Sequence, residues 1–592
     1  LKGESDLPIG ARRGKMKAVQ LAERPSMTQS SDHDNKPAPQ PPLFPDLSRR
    51  EFLQTTVVMA GSALLSSCGS ESSPQPSATP PDYFANIKHL VVVMFENRSF
   101  DNLLGYLYSQ GSTPANWNVG VTIPPRVPSA ADGTTQKFEG IWQFSGTAPA
   151  KCSGNGGCNT HDGNTALAYP YPAGTDNLPA PDPYEPWEEV RMQVFGIDRA
   201  LASSDQPTMS GFLRNYADRL DSYTPKLTKP PKASTIMGCY TPEQLPVLST
   251  LARNFAVFDH WYCAVPSQTY CNRAFFHAST SYGFVTNTPW TKWTTTETGN
   301  GTIFDVLEKQ SNVASPLAPW AVYFTGAVDS EIYTVDGDAD SSSVTNYVGL
   351  TGLIHYNVGA KYGPADYPNK IAGYPQRFFG FEKFFSDISA GALPQYTFIE
   401  TLGGSVPFAL PEPGTAFDYH PPKPTSDGGN GKRSVLNGEE VLRQIYEAIR
   451  TSGAKGGHDY TQDTMLLVVF DEHGGTYDHV PPPKAIQPDN SKLQSSDFKF
   501  DWLGVRVPAI AISSYTLPGT IVSNEMHHAA VIKTLFKMNP GAVTYLTERD
   551  KPSTVGDLSV ACNGARSSTS SGLAPWPELK CAIGAACANV KP

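Results

Sequence analysis

The sequence predicts an α/β protein built on a doubly wound, mainly parallel sheet with large loop insertions. Two continuous apolar and β-branched runs, His89 to Phe95 and Thr464 to Phe470, stop abruptly at acids. That is the pattern of strands buried on both faces in the middle of a parallel sheet. A third run, Val507 to Ser513, ends in a turn. Helical spacing alternates with these runs, as at Val441, Ile445 and Ala448 within Glu439 to Arg450, and over Ala529 to Phe536.

From the N-terminus, the polar stretch Leu1 to Leu47 carries no assignable role. Ser48-Arg49-Arg50-Glu51-Phe52-Leu53 resembles a twin-arginine export signal, and the apolar run from Val57 to Leu65 is too brief to span a bilayer. Leu65-Ser66-Ser67-Cys68 resembles the box at which bacterial lipoproteins are lipidated. The expectation is a leader over 1–68, export to the periplasm or cell envelope, and membrane attachment through a lipid on Cys68. A Ser/Pro-rich linker follows over 69–82, then the main domain over 83–540, then a cysteine-bearing tail over 541–592 packed on it. The stretches Asn116 to Leu201 and Gly326 to Gln376 are rich in Gly, Pro, Tyr and Asp without periodicity, and read as insertions folded over the sheet.

The 592 residues, with 53 prolines and 50 glycines, describe a large globular protein with many ordered loops. A net charge of −10 leaves no basic field for polyanions, which argues against nucleic acid as a partner. Of nine cysteines, eight remain after Cys68, an even number that suits disulfides in an oxidising compartment. Cys152 and Cys158 flank a short Gly-rich loop, Cys562, Cys581 and Cys587 staple the tail, and Cys239, Cys263 and Cys271 complete the set. The spacings do not fit a zinc site.

In open α/β sheets ligands bind beyond the carboxyl ends of the strands. Glu96-Asn97 follows the first buried strand and Asp471-Glu472 the second. Each pair alone could be a turn or a helix cap, but two pairs converging at one sheet edge make a site for a hard divalent cation.

Here the sequence resembles a known family. Val93-Met94-Phe95-Glu96-Asn97-Arg98-Ser99-Phe100-Asp101 and Asp471-Glu472-His473-Gly474-Gly475, with Tyr477-Asp478-His479-Val480 after it, resemble two blocks of the bacterial phosphoesterases. That family holds acid phosphatases and non-haemolytic phospholipases C. Thr269-Tyr270-Cys271-Asn272-Arg273 resembles its nucleophile block, Asp418-Tyr419-His420-Pro421-Pro422 with Gly438-Glu439 another, and His528 fits its closing helix. The resemblance implies an alkaline-phosphatase-like fold and a phosphorylated hydroxyl. By position Thr269 is the nucleophile, with Ser267 the competing hydroxyl, and Glu96, Asn97, Thr269, Asp471 and Glu472 hold one divalent metal ion. Calcium, magnesium, manganese, iron and zinc all remain open as its identity.

Asn97 and Asn272 are candidate phosphate donors, His420 the candidate general acid, and His161, His355 and His479 further phosphate ligands, with His528 a weaker candidate. Arg98 stays outside this set because it can pair with Asp101 in the same turn. The sequence departs from the family where Cys271 replaces a proline and Ser267-Gln268 replaces Gly-Pro. The leading expectation is a phosphatase acting on phosphomonoesters, favoured because little more than the tail follows His528. The alternative is a phospholipase C, for which Trp290, Trp293, Tyr323 and Phe324 in insertions could form an aromatic cage around a choline-type headgroup. A non-catalytic surface lipoprotein should have lost an acid or the hydroxyl, and none is missing. A sulfatase needs a Cys/Ser-x-Pro-x-Arg context, which is absent. The oligomeric state is open.

Overall fold

The computed structural model describes residues 81–110, 120–142, 157–223, 231–287, 301–310, 318–325, 351, 377–401, 406–412, 418–422, 433–491, 493, 497–551, 553–567 and 572–579. The export signal, Cys68, Cys152, Trp290, Trp293, His355, Cys581 and Cys587 lie outside them, as does most of the stretch 326–376.

Among the described residues eight strands form the main sheet: β1 (His89–Phe95), β2 (Ala256–Phe258), β3 (Trp320–Phe324), β4 (Phe378–Gly380), β5 (Tyr396–Glu400), β6 (Thr464–Phe470), β7 (Ala509–Ile512) and β8 (Thr520–Val522). Their spatial order is β8-β2-β7-β6-β1-β5-β3-β4. β1 pairs in parallel with β5 on one side and β6 on the other, so it is central, and every residue of β1 and β6 is buried. The third apolar run enters the sheet in the opposite direction. β7 is antiparallel to both β6 and β2, whereas β8, β3 and β4 each join a neighbour in parallel. Its run is short and all apolar, a pattern that serves either direction equally well.

Among the described residues the helices are α1 (Phe100–Leu104), α2 (Trp187–Phe195), α3 (Phe212–Tyr223), α4 (Pro246–Asn254), α5 (Thr269–Ala278), α6 (Ile303–Gln310), α7 (Phe381–Ala390), α8 (Val435–Arg450) and α9 (Ala529–Met538). α8 starts four residues before the expected Glu439, because the Ser434 hydroxyl caps it by accepting from the Leu436 N–H at 3.2 Å. Its Val441, Leu442, Ile445 and Ile449 are buried in the sheet core.

The insertion Asn116 to Leu201 is not structureless: it contributes α2 and a hairpin pairing Cys158–His161 with Asn164–Leu167. Trp187, Val190 and Val194 of α2 pack with Phe212 and Tyr216 of α3 in a second apolar core that also takes Ala274 and Phe275 of α5. That core seats the insertion against the helix carrying Thr269. The tail residue Trp576 is buried, stacks on Tyr446 of α8 at 5.4 Å, and donates from its indole N–H to the Ser514 hydroxyl at 3.1 Å.

Two expectations need correction. Cys239, Cys263, Cys271 and Cys562 are free thiols, the first three of them buried, whereas Cys158 is disulfide-bonded. Tyr323 and Phe324 are not in a loop either. They end β3, buried, where no aromatic cage can use them.

Candidate active site

β1 and β6 end in register, Phe95 opposite Phe470, so Glu96-Asn97 and Asp471-Glu472 leave the sheet side by side. Asp471 Oδ1 accepts from the backbone N–H groups of Asn97 at 3.1 Å and Glu472 at 2.7 Å, and the Glu472 carbonyl accepts from the Arg98 N–H at 3.1 Å. Asn97 takes the left-handed φ of 61° that this interlock requires.

Beyond them Gly474, at φ 60°, lies so close to β1's end that a Cβ would fall 2.2 Å from the Asn97 carbonyl oxygen. Only glycine fits there. Gly474→Ala is therefore expected to lower metal affinity about 10- to 100-fold with circular dichroism little changed; a titration showing unaltered affinity would mean that the turn does not shape the site.

Glu96, Asp471 and Glu472 are all buried. Burial pushes the Glu96 and Glu472 carboxyls well above the usual carboxylate range, helped by the charge of Asp471 on Glu96 and of Glu185 on Glu472. Asp471 is also raised by burial, against the pull of Arg273. The Arg273 Nε donates to Asp471 Oδ2 at 3.1 Å and its Nη2 lies 3.6 Å from Glu96. Arg273 stands one turn after Thr269 on the same face of α5, so the face that carries Thr269 is the one pinned to the acids. Thr269 opens α5, where the helix dipole favours an incoming anion.

The two competing hydroxyls are thereby separated. Ser267 is buried and donates to the Val285 carbonyl, while among the described residues the Thr269 hydroxyl makes no hydrogen bond.

His420 joins the same end of the molecule. The Arg98 Nε donates to the Tyr419 carbonyl at 2.5 Å, which ties the His420 segment to β1. The His420 Nδ1 is 2.8 Å from the Pro421 carbonyl and 3.7 Å from Asp182 Oδ1. Donor atoms of Asp182, Glu185 and His420 all lie within 4.8 Å of one another. The Asn97 side-chain amide donates to Glu185 Oε1.

Asp182 and Glu185 were not legible as site residues. They belong to an aperiodic Asp-Pro-Tyr-Glu stretch whose single cue is a pair of acids just ahead of the proline that opens α2. Their place is set by contacts from elsewhere. The Gln193 amide donates to the Tyr184 carbonyl at 2.8 Å, the Arg219 Nε to the Asp182 carbonyl at 2.9 Å, and the Asp182 N–H to the Pro422 carbonyl at 2.8 Å.

Several expected ligands stand elsewhere. The Asn272 amide donates to the carbonyls of Ser267 at 2.8 Å and Val265 at 3.1 Å, and accepts from the Val265 N–H at 3.0 Å. It shapes the turn before Thr269 and has no donor left for phosphate. His479 is buried against Asp101, accepted at Nδ1 by Asp101 Oδ2 at 2.6 Å, in a network with Arg506 and Asp478. Burial opposes its charge, but Asp101 and Glu139 prevail and hold its pKa up at about 9.

His161 sits in the hairpin, 3.3 Å from the exposed Asp162. His528 accepts from the Trp261 indole at 3.3 Å and donates from Nε2 to the Asp471 carbonyl at 2.6 Å. Burial lowers its pKa to about 4, so it is a neutral prop beneath Asp471. His473 is likewise neutral, pushed down to about 3 by burial, and binds Gln193 of α2 at 2.8 Å. Arg98 does not pair with Asp101; it holds the carbonyls of Tyr419 and Leu178 and the Asn102 side chain.

A model of the phosphoesterase family matches residues 87–539. The chain belongs to that family. This phosphoesterase is a hydrolase of phosphate ester bonds. It is 28% identical over 476 residues to non-specific phospholipase C6 of Arabidopsis thaliana, spanning 78% of this chain and 70% of that protein. It is 22% identical over 563 residues to the non-hemolytic phospholipase C of Pseudomonas aeruginosa, spanning 90% and 65%. Among solved structures, an alkaline phosphatase superfamily protein of Vibrio parahaemolyticus aligns with a TM-score of 0.27 at 15% identity, covering 50% of this chain and 60% of that one.

The strand-end residues fit a divalent cation. Asn97 Oδ1 and Glu472 Oε1 are buried oxygens with no hydrogen-bond partner among the described residues, beside the carboxylates of Glu96 and Asp471. Oxygens left bare in a dry site are costly unless a ligand meets them.

Proposed function

We propose that this phosphoesterase is a phospholipase C, cleaving the phosphodiester of a phospholipid with Thr269 as nucleophile. Glu96, Asn97, Asp471 and Glu472 would hold the cation. A cation there supplies the charge that depresses the hydroxyl pKa and offsets the phosphoryl oxygens. The Thr269 oxygen attacks phosphorus in line, the glycerol oxygen leaves, and water then cleaves the threonine phosphodiester to release the phosphorylated headgroup alcohol. Arg273 holds Asp471 and Glu96 in place, and the N-terminus of α5 faces the arriving charge.

The observation that carries the diester over the monoester is Glu185 on the Asn97 amide, with Asp182 close by. Carboxylates converging on the phosphate seat repel a dianionic monoester more than a monoanionic diester. The phospholipase C relatives support the same reading. It reverses the preference for phosphomonoesters drawn from the sequence.

The deciding experiment compares hydrolysis of p-nitrophenyl phosphate, p-nitrophenylphosphorylcholine and phosphatidylcholine micelles by the purified chain, before and after metal stripping. The expected result is faster cleavage of both diesters, lost on stripping and restored by divalent metal. Preference for p-nitrophenyl phosphate would overturn the phospholipase reading in favour of a phosphatase.

A further inference from the structure

We infer that His89, His458 and Asp463 form a zinc site at the end of the sheet opposite Thr269, where the central strands begin. His89 opens β1 and Asp463 immediately precedes β6, so the group lies about 20 Å along β1 from Glu96. One ligand atom from each of the three side chains falls within 4.8 Å of the other two. Ligands about 2.1 Å from an ion stand roughly 3–4 Å apart, so small side-chain rotations close the set.

The side chain that points to an ion is His89. It is only 2% exposed, and its Nδ1 lies 2.8 Å from the Pro394 carbonyl. A carbonyl only accepts, so Nδ1 carries the proton and Nε2 keeps its lone pair. Among the described residues that Nε2 makes no hydrogen bond. An imidazole held at one nitrogen by a backbone carbonyl, with the other nitrogen bare, is oriented as metal-bound histidines are.

The frame around these side chains is held by other contacts. The Asp463 carbonyl accepts from the backbone N–H groups of Lys88 at 2.8 Å and His89 at 3.1 Å, which fixes the start of β1 against Asp463. The His458 Nε2 lies 3.0 and 3.1 Å from the two Asp463 oxygens, and the Tyr460 ring meets both imidazoles edge-on, 4.5 Å from His458 and 5.0 Å from His89. His458 is nearly half exposed, which gives an ion its way in and leaves a fourth position for water. The Lys88 ammonium, 3.4 Å from Asp463, is the competing cation; its side chain is two-thirds exposed, so it leaves at little cost.

The other groupings of possible ligands lack this opening. Arg506 donates to Asp101 and Asp478 beside His479 and already serves as their cation, and the Asp182, Glu185 and His420 group belongs to the active site. Two imidazoles and one carboxylate with an open fourth position suit zinc better than calcium or magnesium, which prefer oxygen alone. An ion there ties the start of β1 to the loop entering β6, and it stabilises the fold at the end remote from the ester.

The test counts zinc in the full chain after stripping with chelator, equilibration with Zn²⁺ and dialysis. His458→Gln is expected to hold about one zinc fewer than the parent, with circular dichroism unchanged because that side chain reaches the surface. The rise in melting temperature that zinc gives the parent should shrink with it. Zinc taken up at the strand-end site cancels in this comparison, since no residue there is altered. Lys88→Met removes the competing ammonium and should bind this zinc several-fold more tightly. Equal zinc content in the parent and His458→Gln overturns the inference, and so does a Lys88→Met chain that binds zinc no more tightly than the parent. Hydrolysis of p-nitrophenylphosphorylcholine by His458→Gln should stay within a few-fold of the parent; a loss as deep as metal stripping gives the parent would overturn a site remote from the reaction.

Discussion

Thr269→Ala is expected to lower kcat for ester hydrolysis by about 10³-fold or more, with KM nearly unchanged. The step it removes is the attack itself, so binding of the ester through the cation and the α5 N-terminus should survive. Ser267→Ala should stay within a few-fold of the parent, because that hydroxyl is spent on the Val285 carbonyl. Thr269→Ser should retain most activity, since the oxygen stays at the start of α5. The measurement is steady-state hydrolysis of p-nitrophenylphosphorylcholine, with acid-quenched trapping of the phosphorylated enzyme. Equal losses in Thr269→Ala and Ser267→Ala would strip Thr269 of its assignment. So would phosphoenzyme formed by the alanine variant.

Part of this arrangement was legible in the sequence because two different signals met at one place. A strand buried on both faces must be apolar throughout, so β1 and β6 stood out, and the acids at their ends then marked the sheet edge. The block around Thr269 was also readable, and the structure accounts for its neighbours: Asn272 folds the preceding turn and Arg273 reaches the acids.

What stayed hidden depends on contacts between distant segments. Asp182 and Glu185 reach the site because α2 and α3 pack on α5 through Trp187, Val190, Phe212 and Phe275, and no local pattern encodes that docking. The histidines were hard for a related reason. His473, His479 and His528 look alike as single letters, and only their surroundings separate a neutral prop from a charged partner. The antiparallel turn of β7 was invisible too, since four apolar residues carry no direction.

The other large effect should fall on folding. Arg506 is fully buried, donating to Asp101 at 2.9 Å, Asp478 at 3.0 Å and the carbonyls of Glu139 at 2.8 Å and Asp259 at 2.7 Å. Arg506→Met keeps the length of the side chain but leaves two carboxylates in the interior without their guanidinium. A loss of about 3–5 kcal/mol is expected, read from urea unfolding.

His479 in the same network adds a dependence on pH. Its pKa is raised from 6.5 to about 9, so its contribution is fully present below about 6.5 and disappears as pH rises through about 9. His479→Gln should therefore remove a decline in stability across that window. If parent and variant decline in parallel, the His479–Asp101 bond does not carry it. The network also has a mechanical consequence. Asp101 belongs to α1 just after the Glu96-Asn97 turn, and Asp478 and His479 follow the Asp471-Gly475 turn. Arg506 thus clamps together the two segments whose first residues form the metal site. Arg506→Met should loosen metal binding as well as the fold, whereas a surface arginine such as Arg199, paired in the open with Asp205, should do neither when replaced.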